Sequence, residues 1–213
     1  MTATVHVVDY GVGNLYSVAR AIEKAGGDAR LSDDHAEIAS AERLILPGVG
    51  AFRDGMAGLS EKGLDDSVRE FAQTGRPLLG ICLGMQMLAT ESLEFGRHLG
   101  LDLVPGQIVP VPPQGEDGAA HKVPFVGWTE LEATRPEQFA GTPLDGVAPI
   151  DAFYHVHSFH MEPAREADRL AVYRYDGVPL TAAIAHGNIF GCQFHPEKSG
   201  ESGLRILGRF LSC

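Results

Sequence analysis

The strongest constraint on the fold is an abrupt change of hydrophobic period around Cys82. The apolar run over residues 77–81 has the length of a buried strand, whereas apolar residues recur at helical spacing from Leu83 onwards. Gly80 and Gly84 flank the cysteine, and small residues there let the chain fold tightly beneath it. The pattern predicts a strand, a sharp turn and a helix that present the Cys82 thiol at the turn.

The Cys82 thiol has two interpretations. As a nucleophile, it would lie at a helix start whose free N–H groups favour the thiolate, and the N–H of Leu83 would help to stabilise an oxyanion. As a structural residue, it would be an inert cysteine between two core elements, because free cysteine is among the most buried residue types. This stretch alone leaves both interpretations open.

Strands and helices alternate from the N-terminus to the helix that follows Cys82. Strands are predicted over residues 5–10 and 44–46, and helical spacing runs over residues 15–25 and 64–72. This alternation predicts an α/β fold with an open, mostly parallel central sheet covered by helices on both faces.

The second half of the chain is richer in short strand-like runs. Turn signals at Asp176-Gly177 and Gly187-Asn188 separate runs of β-branched and aromatic residues, which predicts hairpins. The runs cover residues 152–159, 171–175, 180–185 and 189–194, and a final helix is predicted over residues 203–211. Because no repeat or linker interrupts the pattern, residues 1–213 are predicted to form one α/β domain with an antiparallel addition.

Charge and cysteine content narrow the partners and the compartment. The formal net charge of −11, from 28 acidic and 17 basic residues, argues against nucleic acid and anionic membrane surfaces as partners. No apolar stretch approaches the ~20 residues that a membrane span needs. The three cysteines lack C-x-x-C spacing and the N-terminus shows no secretory signal, so a reducing, cytoplasmic location is expected.

Two glycine loops follow the first confident strands. The loop over residues 11–14 does not complete the dinucleotide-binding pattern G-x-G-x-x-G, because Tyr16 occupies the third glycine position. A tight βα turn and a partner-facing loop remain as its interpretations. The glycines of residues 47–52 either form an ordinary turn or expose backbone N–H groups at the carboxyl edge of the sheet, where α/β proteins bind ligands.

The segment 194–199 contains what a nucleophilic thiol needs. His195 can act as the base, and Glu197, two residues later across a proline, can hold its tautomer. Both follow a predicted strand end, as Cys82 does, and such ends gather on one edge of a parallel sheet. The alternative is a solvated loop histidine, since the chain has nine histidines.

His155 and His157 would share a strand face, which leaves a metal pair open, although no carboxylate or cysteine stands at ligand spacing nearby.

Two motifs carry a resemblance to a known family. G-I-C-L-G-M-Q at 80–86 with F-H-P-E-K-S at 194–199 resembles the class-I, or triad, glutamine amidotransferases. Further segments, in order along nearly the whole chain, resemble the glutaminase subunits of imidazole glycerol phosphate synthases. The loop P-G-V-G-A-F is the main reason for choosing this branch of the family. The segments are D-Y-G at 9–11, G-N-L at 13–15, L-P-G-V-G-A-F at 46–52, L-V-P-G-Q-I-V at 103–109, K-V-P and G-W within 122–128, V-H-S at 156–158 and G-L-R-I-L at 203–207.

The resemblance implies a mechanism and a set of site residues. Cys82 would attack the side-chain amide of glutamine, His195 would relay protons, and Glu197 would orient His195. Ammonia and then glutamate would leave by way of a glutamyl thioester. The implied oxyanion hole consists of Gly48, Val49, Gly50 and Leu83. The implied substrate-binding residues are Gly50, Gln86, His157 and Ser158.

The resemblance also implies a partner. In the family, ammonia passes through a tunnel to a (β/α)8 cyclase subunit. There it reacts with a phosphoribulosyl aminoimidazole carboxamide nucleotide, and the products are imidazole glycerol phosphate and aminoimidazole carboxamide ribonucleotide, in histidine biosynthesis. Asn14, Lys122 and Trp128 would face that subunit in a heterodimer. No cofactor or metal is implied.

The chain departs from the family pattern at four positions. The family usually reads K-V-P-H-M-G-W-N, whereas this chain has Phe125, Val126 and Thr129, and His155 stands where an aromatic residue is usual. These departures bear on partner contact, and they leave open a paralogue that supplies ammonia to another synthase, such as one for amidino-sugars. Two further functions stay open from the sequence: a stand-alone γ-glutamyl hydrolase and a catalytically silent binding subunit.

Overall fold

Short aliphatic runs form the strands of a central sheet. The structure, a computed structural model, describes residues 2–135 and 137–213, and within them this sheet has eight strands. The first five run parallel and the last three continue antiparallel. In order across the sheet they are β2 (Asp28–Ser32), β1 (Thr4–Val8), β3 (Leu44–Leu46), β4 (Leu78–Ile81), β14 (Ile189–Cys192), β13 (Val178–His186), β12 (Arg169–Tyr175) and β9 (Glu132–Ala133).

Helices cover both faces of the central sheet, as the alternating pattern predicts. Two of them, α1 (Leu15–Lys24) and α6 (Gly200–Phe210), bury their apolar sides in one hydrophobic cluster. Three others bury theirs in a second cluster: α2 (His35–Ser40), α3 (Phe52–Glu61) and α4 (Leu64–Gln73). The longest helix of the described residues, α6, has 11 residues, so none of the described helices could span a membrane, which takes ~20 residues.

Two smaller sheets form from the remaining strands. One pairs β8 (Phe125–Glu130) with β10 (Ala152–His157) in antiparallel register, and we call it the β8–β10 ribbon. The other has four strands in the described residues. In order across that sheet they are β11 (Phe159–Pro163), β7 (Val104–Pro110), β5 (Ala89–Ser92) and β6 (His98–Leu99). The predicted hairpins among the last strands are confirmed, because β12, β13 and β14 pair antiparallel through the two predicted turns.

Helix α3 has no counterpart in the sequence prediction, and its glycines explain why. Gly55 and Gly58 lower helix propensity, so the segment reads as a continuation of the preceding glycine loop. In the structure these glycines allow close packing instead. A Cβ on Gly55 would lie 2.9 Å from side-chain atoms of Leu83 and Met87, and one on Gly58 would lie 3.0 Å from the Tyr10 carbonyl oxygen.

The predicted turn at Cys82 is confirmed. The chain leaves β4 at Ile81, turns at Cys82 and enters α5 (Leu83–Met87). Gly84 packs directly against β3, since a Cβ there would lie 1.8 Å from the carbonyl oxygen of Leu46. The glycine is therefore required by the closeness of two backbones, because any side chain would push α5 away from the sheet.

We expect Gly84→Ala to lower the free energy of unfolding by about 3 kcal/mol or more, since the added methyl group meets a backbone atom that cannot rotate away. The matched control is Gly208→Ala in α6, where a Cβ would lie 3.9 Å from the nearest atom, the Ala25 carbonyl oxygen. Alanine favours the helix there, so the control should gain up to about 1 kcal/mol. Urea unfolding measures both, and equal stability of the two variants would contradict the close contact.

Candidate active site

The backbone at Cys82 is held in an uncommon conformation. Its φ is 53° and its ψ is −110°, in a region that non-glycine residues rarely adopt. Two hydrogen bonds fix the turn: the Cys82 N–H donates to the Cys192 carbonyl on β14 at 2.8 Å, and the Gln86 N–H donates to the Cys82 carbonyl at 3.1 Å. Such strain persists where the surrounding structure imposes it, and it is concentrated at functional sites.

His195 and Glu197 form a buried pair beyond the end of β14. The Nδ1 atom of His195 lies 2.8 Å from Glu197 Oε1, and the two side chains are 2% and 1% exposed. Because the carboxylate accepts this hydrogen bond, Nδ1 carries a proton and Nε2 is the atom left to act on a substrate. No protein group among the described residues forms a hydrogen bond of standard geometry with Nε2.

The electrostatic surroundings of His195 favour its protonated form. Burial alone would lower the pKa of the imidazole, but the interactions with Cys82 and Glu197 outweigh burial and raise that pKa to about 9. The contacts with Glu197 and Cys82 thus favour the charged form of the ring in the resting site. This is the arrangement of a thiol paired with a base whose tautomer is fixed by a carboxylate.

Cys82 and His195 share one cavity of about 260 Å³. Six other residues that the sequence analysis assigns to the site line it: Val49, Gly50, Leu83, Gln86, His157 and Ser158. Gly48 instead lies beneath the cavity wall, where a Cβ would lie 2.5 Å from the Tyr10 hydroxyl and 2.9 Å from the Leu83 Cβ. The structure therefore brings the nucleophile candidate, the base candidate and most of the implied binding residues to one place.

His157 contributes to the cavity with both ring nitrogens already occupied. Nδ1 lies 2.9 Å from the Phe159 carbonyl oxygen, and Nε2 lies 2.9 Å from the Tyr173 hydroxyl. Since a carbonyl only accepts, Nδ1 carries the hydrogen and Nε2 accepts from the tyrosine. Burial lowers the pKa of His157 well below its usual value, so the ring is neutral and braces the cavity wall.

Glu94 is a cavity residue that sequence reasoning missed. It lies in the loop after β5, between the exposed residues Leu93 and Phe95. Its Oε2 accepts a hydrogen bond of 2.6 Å from the Phe52 N–H at the start of α3. This bond anchors the carboxylate at the cavity wall, beside Gly50 and Phe159. No sequence signal identifies Glu94, because it reaches the cavity only through a contact with a residue 42 positions away.

Most of the departures from the family pattern lie on the inner side of the β8–β10 ribbon. Thr129 Oγ1 lies 3.2 Å from His155 Nδ1, and the Phe125 ring packs 6.2 Å from the His155 ring and 5.0 Å from the Tyr173 ring. These three replacements contact one another or their shared neighbours, so they form one repacked cluster. Only Val126 points outwards, and it is 57% exposed.

Comparison with known proteins gives one consistent family. The family model of class-I glutamine amidotransferases matches residues 6–212. The chain is 50% identical over 210 residues to imidazole glycerol phosphate synthase subunit HisH 1 of Legionella pneumophila (strain Paris), covering 98% of this chain and 99% of the relative. It is 47% identical over 205 residues to subunit HisH of Geobacillus thermodenitrificans (strain NG80-2), covering 96% and 93%.

Solved structures support the same fold. The structure of PurLQS from Thermotoga maritima aligns with a TM-score of 0.73 at 22% identity, covering 100% of this chain and 99% of that chain. A crystal structure of a glutamine amidotransferase aligns with a TM-score of 0.70 at 20% identity, covering 98% and 99%. The family model and the curated relatives together establish that this chain belongs to the class-I glutamine amidotransferase family.

Proposed function

We propose that this chain is the glutaminase subunit of imidazole glycerol phosphate synthase. It hydrolyses glutamine and passes the ammonia to a cyclase subunit that forms imidazole glycerol phosphate in histidine biosynthesis. The observation that carries the proposal is the meeting of Cys82 with the His195–Glu197 pair in one cavity, within a chain about half identical to HisH subunits over nearly its whole length. Residues 1–213 act as one amidotransferase domain, which the match over residues 6–212 supports.

The first half of the reaction releases ammonia. The sulfur of Cys82 attacks the carboxamide carbon of glutamine, and the C–N bond breaks as His195 Nε2 delivers a proton to the departing nitrogen. Glu197 holds Nδ1 of the ring, so the proton transfer occurs from the nitrogen that faces the cavity. The raised pKa of His195 keeps that proton in place until the leaving group forms.

The second half frees the sulfur of Cys82 from the thioester. His195, now neutral, takes a proton from water at Nε2 while the water oxygen attacks the thioester carbon. The C–S bond breaks, its electron pair returns to the sulfur of Cys82, and glutamate leaves. The Glu197 carboxylate stabilises the imidazolium that forms again.

Backbone N–H groups around the cavity form the oxyanion hole in this proposal. Val49, Gly50 and Leu83 all line the cavity beside Cys82, which supports their assignment. Gly50 has a φ of +100° and open space around its Cα. Glycine adopts this and the opposite conformation at little cost, so the peptide bond before it can turn its N–H towards or away from the substrate.

Glu94 binds the α-ammonium group of glutamine in this proposal. The cavity needs a negative group for that ammonium, and Glu94 brings a carboxylate to its wall. The Phe52 N–H occupies Oε2, so Oε1 is the oxygen that accepts from the ammonium group in this proposal. Ser158 and Gln86 line the same cavity and supply further polar contacts to glutamine.

The outer face of the β8–β10 ribbon is the docking surface for the cyclase, a (β/α)8 barrel. Trp128 is 56% exposed and lies opposite Tyr154, and Val126 lies opposite Val156. This apolar face adjoins the cavity, because Val156 also lines the cavity wall. Asn14 and Lys122 are exposed as well. A partner seated there covers apolar surface and closes the route by which ammonia would reach solvent.

The first test is glutamate release by the chain alone, with the cyclase subunit, and with the cyclase and its nucleotide substrate. We expect low release in the first two conditions and a large rise in the third. Cys82→Ala should lower release by roughly a thousandfold or more, because it removes the nucleophile, while the cyclase with free ammonia stays active. Cys213→Ala, a matched change at an exposed thiol, should have no effect. High release by the chain alone, unchanged by either addition, would point to a stand-alone hydrolase.

We expect Glu94→Gln to raise the KM for glutamine about 10- to 100-fold with a small change in kcat, since an ion pair with the α-ammonium group contributes to binding before and during the reaction. Glutamine also keeps an acceptor for the Phe52 N–H. The control is Glu162→Gln, an exposed acidic residue outside the cavity. Steady-state kinetics of the stimulated enzyme measure both, and an unchanged KM for Glu94→Gln would overturn this assignment.

We expect Trp128→Ala to weaken the affinity for the cyclase by about 30-fold or more, since large aromatic anchors dominate protein interfaces. The control is Leu31→Ala, an exposed apolar residue on β2 at the edge of the central sheet. Calorimetric titration with the cyclase measures the affinity. An equal affinity of the Trp128 variant and the wild type would place the interface elsewhere.

A further inference from the structure

A buried amide, Gln193, lies against the sulfur of Cys82 and has no role in the mechanism above. It stands between β14 and His195, and it is 0% exposed. Its Nε2 atom is 3.7 Å from the Cys82 Sγ atom. A buried amide costs free energy unless its polar atoms are bonded, so this placement depends on a hydrogen-bond network.

A backbone carbonyl fixes the direction of that network. Gln86 Nε2 lies 3.0 Å from the Phe159 carbonyl oxygen and 3.0 Å from Gln193 Oε1. The Phe159 carbonyl only accepts, so the Gln86 amide must present its NH2 group at this point and donate both hydrogens. Gln193 must then present its oxygen to Gln86, which leaves its NH2 group facing the sulfur of Cys82.

We propose that Gln193 is a catalytic residue that donates a hydrogen bond to the sulfur of Cys82. A donor to the charged form of a group favours that form, so Gln193 favours the thiolate over the thiol. The bond also directs the sulfur within the cavity. Gln86 then has a second function besides lining the substrate cavity, because it sets the orientation of Gln193.

The donor contributes most when the thioester is cleaved. The thioester sulfur carries little negative charge and accepts hydrogen bonds weakly, whereas the departing thiolate accepts them strongly. When water attacks and the C–S bond breaks, the electron pair that returns to sulfur meets the N–H of Gln193. His195 has meanwhile taken a proton from the water, so its imidazolium and the N–H of Gln193 stabilise the new charge together.

The test uses alkylation of Cys82 by iodoacetamide, with the modified thiol identified by peptide mapping. Gln193→Glu keeps the size of the side chain and an acceptor for Gln86, but it replaces the donor by a negative charge. Gln193→Met removes the donor without adding charge. We expect both variants to react about tenfold more slowly than wild type at pH 7 and at a similar rate at pH 10, where the thiol ionises without help.

The matched control is Gln138→Glu, an amide bonded to Thr134 and the Arg169 carbonyl instead. Both of its rates should equal those of wild type. A wild-type rate at pH 7 in the folded Gln193 variants would overturn the proposal, and so would an equal fall at both pH values, which indicates a displaced cysteine. If the glutamate variant does not fold, the methionine variant decides. The role rests on the proposed glutaminase, but alkylation needs no glutamine turnover, so the two can fail separately.

Discussion

A close backbone contact between the start of α5 and the end of β3 underlies the whole site. Gly84 lies so near the Leu46 carbonyl that a Cβ would come within 1.8 Å, and a Cβ on Gly48 would lie 2.9 Å from the Leu83 Cβ. The turn that carries the thiol and the glycine loop that lines the cavity beside it therefore pack as one unit. Their spacing is set by backbone contact, which is stiffer than any arrangement of long side chains.

The histidine half of the site is braced differently, by hydrogen bonds to the β8–β10 ribbon. The His195 N–H donates to the Tyr154 carbonyl at 2.9 Å. Ser199 Oγ donates to the His195 carbonyl at 2.7 Å and accepts from the Tyr154 N–H at 3.0 Å. Tyr154 also lies opposite Trp128 on the outer face of the ribbon. One residue thus joins the surface proposed for docking to the backbone that carries the base.

Local patterns predicted the parts of the site that depend on neighbours in sequence. The turn at Cys82 and the His195–Glu197 pair each lie within a few residues, so their geometry follows from the chain itself. Glu94 and Gln193 could not be found this way, because each acts through contacts far along the chain, 42 residues to Phe52 and 111 to Cys82. The sequence also failed to predict α3, because its glycines have low helix propensity. Tertiary packing requires them there, since side chains at Gly55 and Gly58 would collide with neighbouring residues.

The exposed face of the β8–β10 ribbon also matters before any complex exists. Trp128 and Val126 are each more than half exposed, and contiguous apolar surface of this kind promotes self-association in water. If the proposed partner binds this face, a newly made chain carries that liability until the two subunits meet. Balanced synthesis of the two subunits would therefore protect the yield of folded protein, and an excess of this chain alone would be expected to aggregate or to be degraded first.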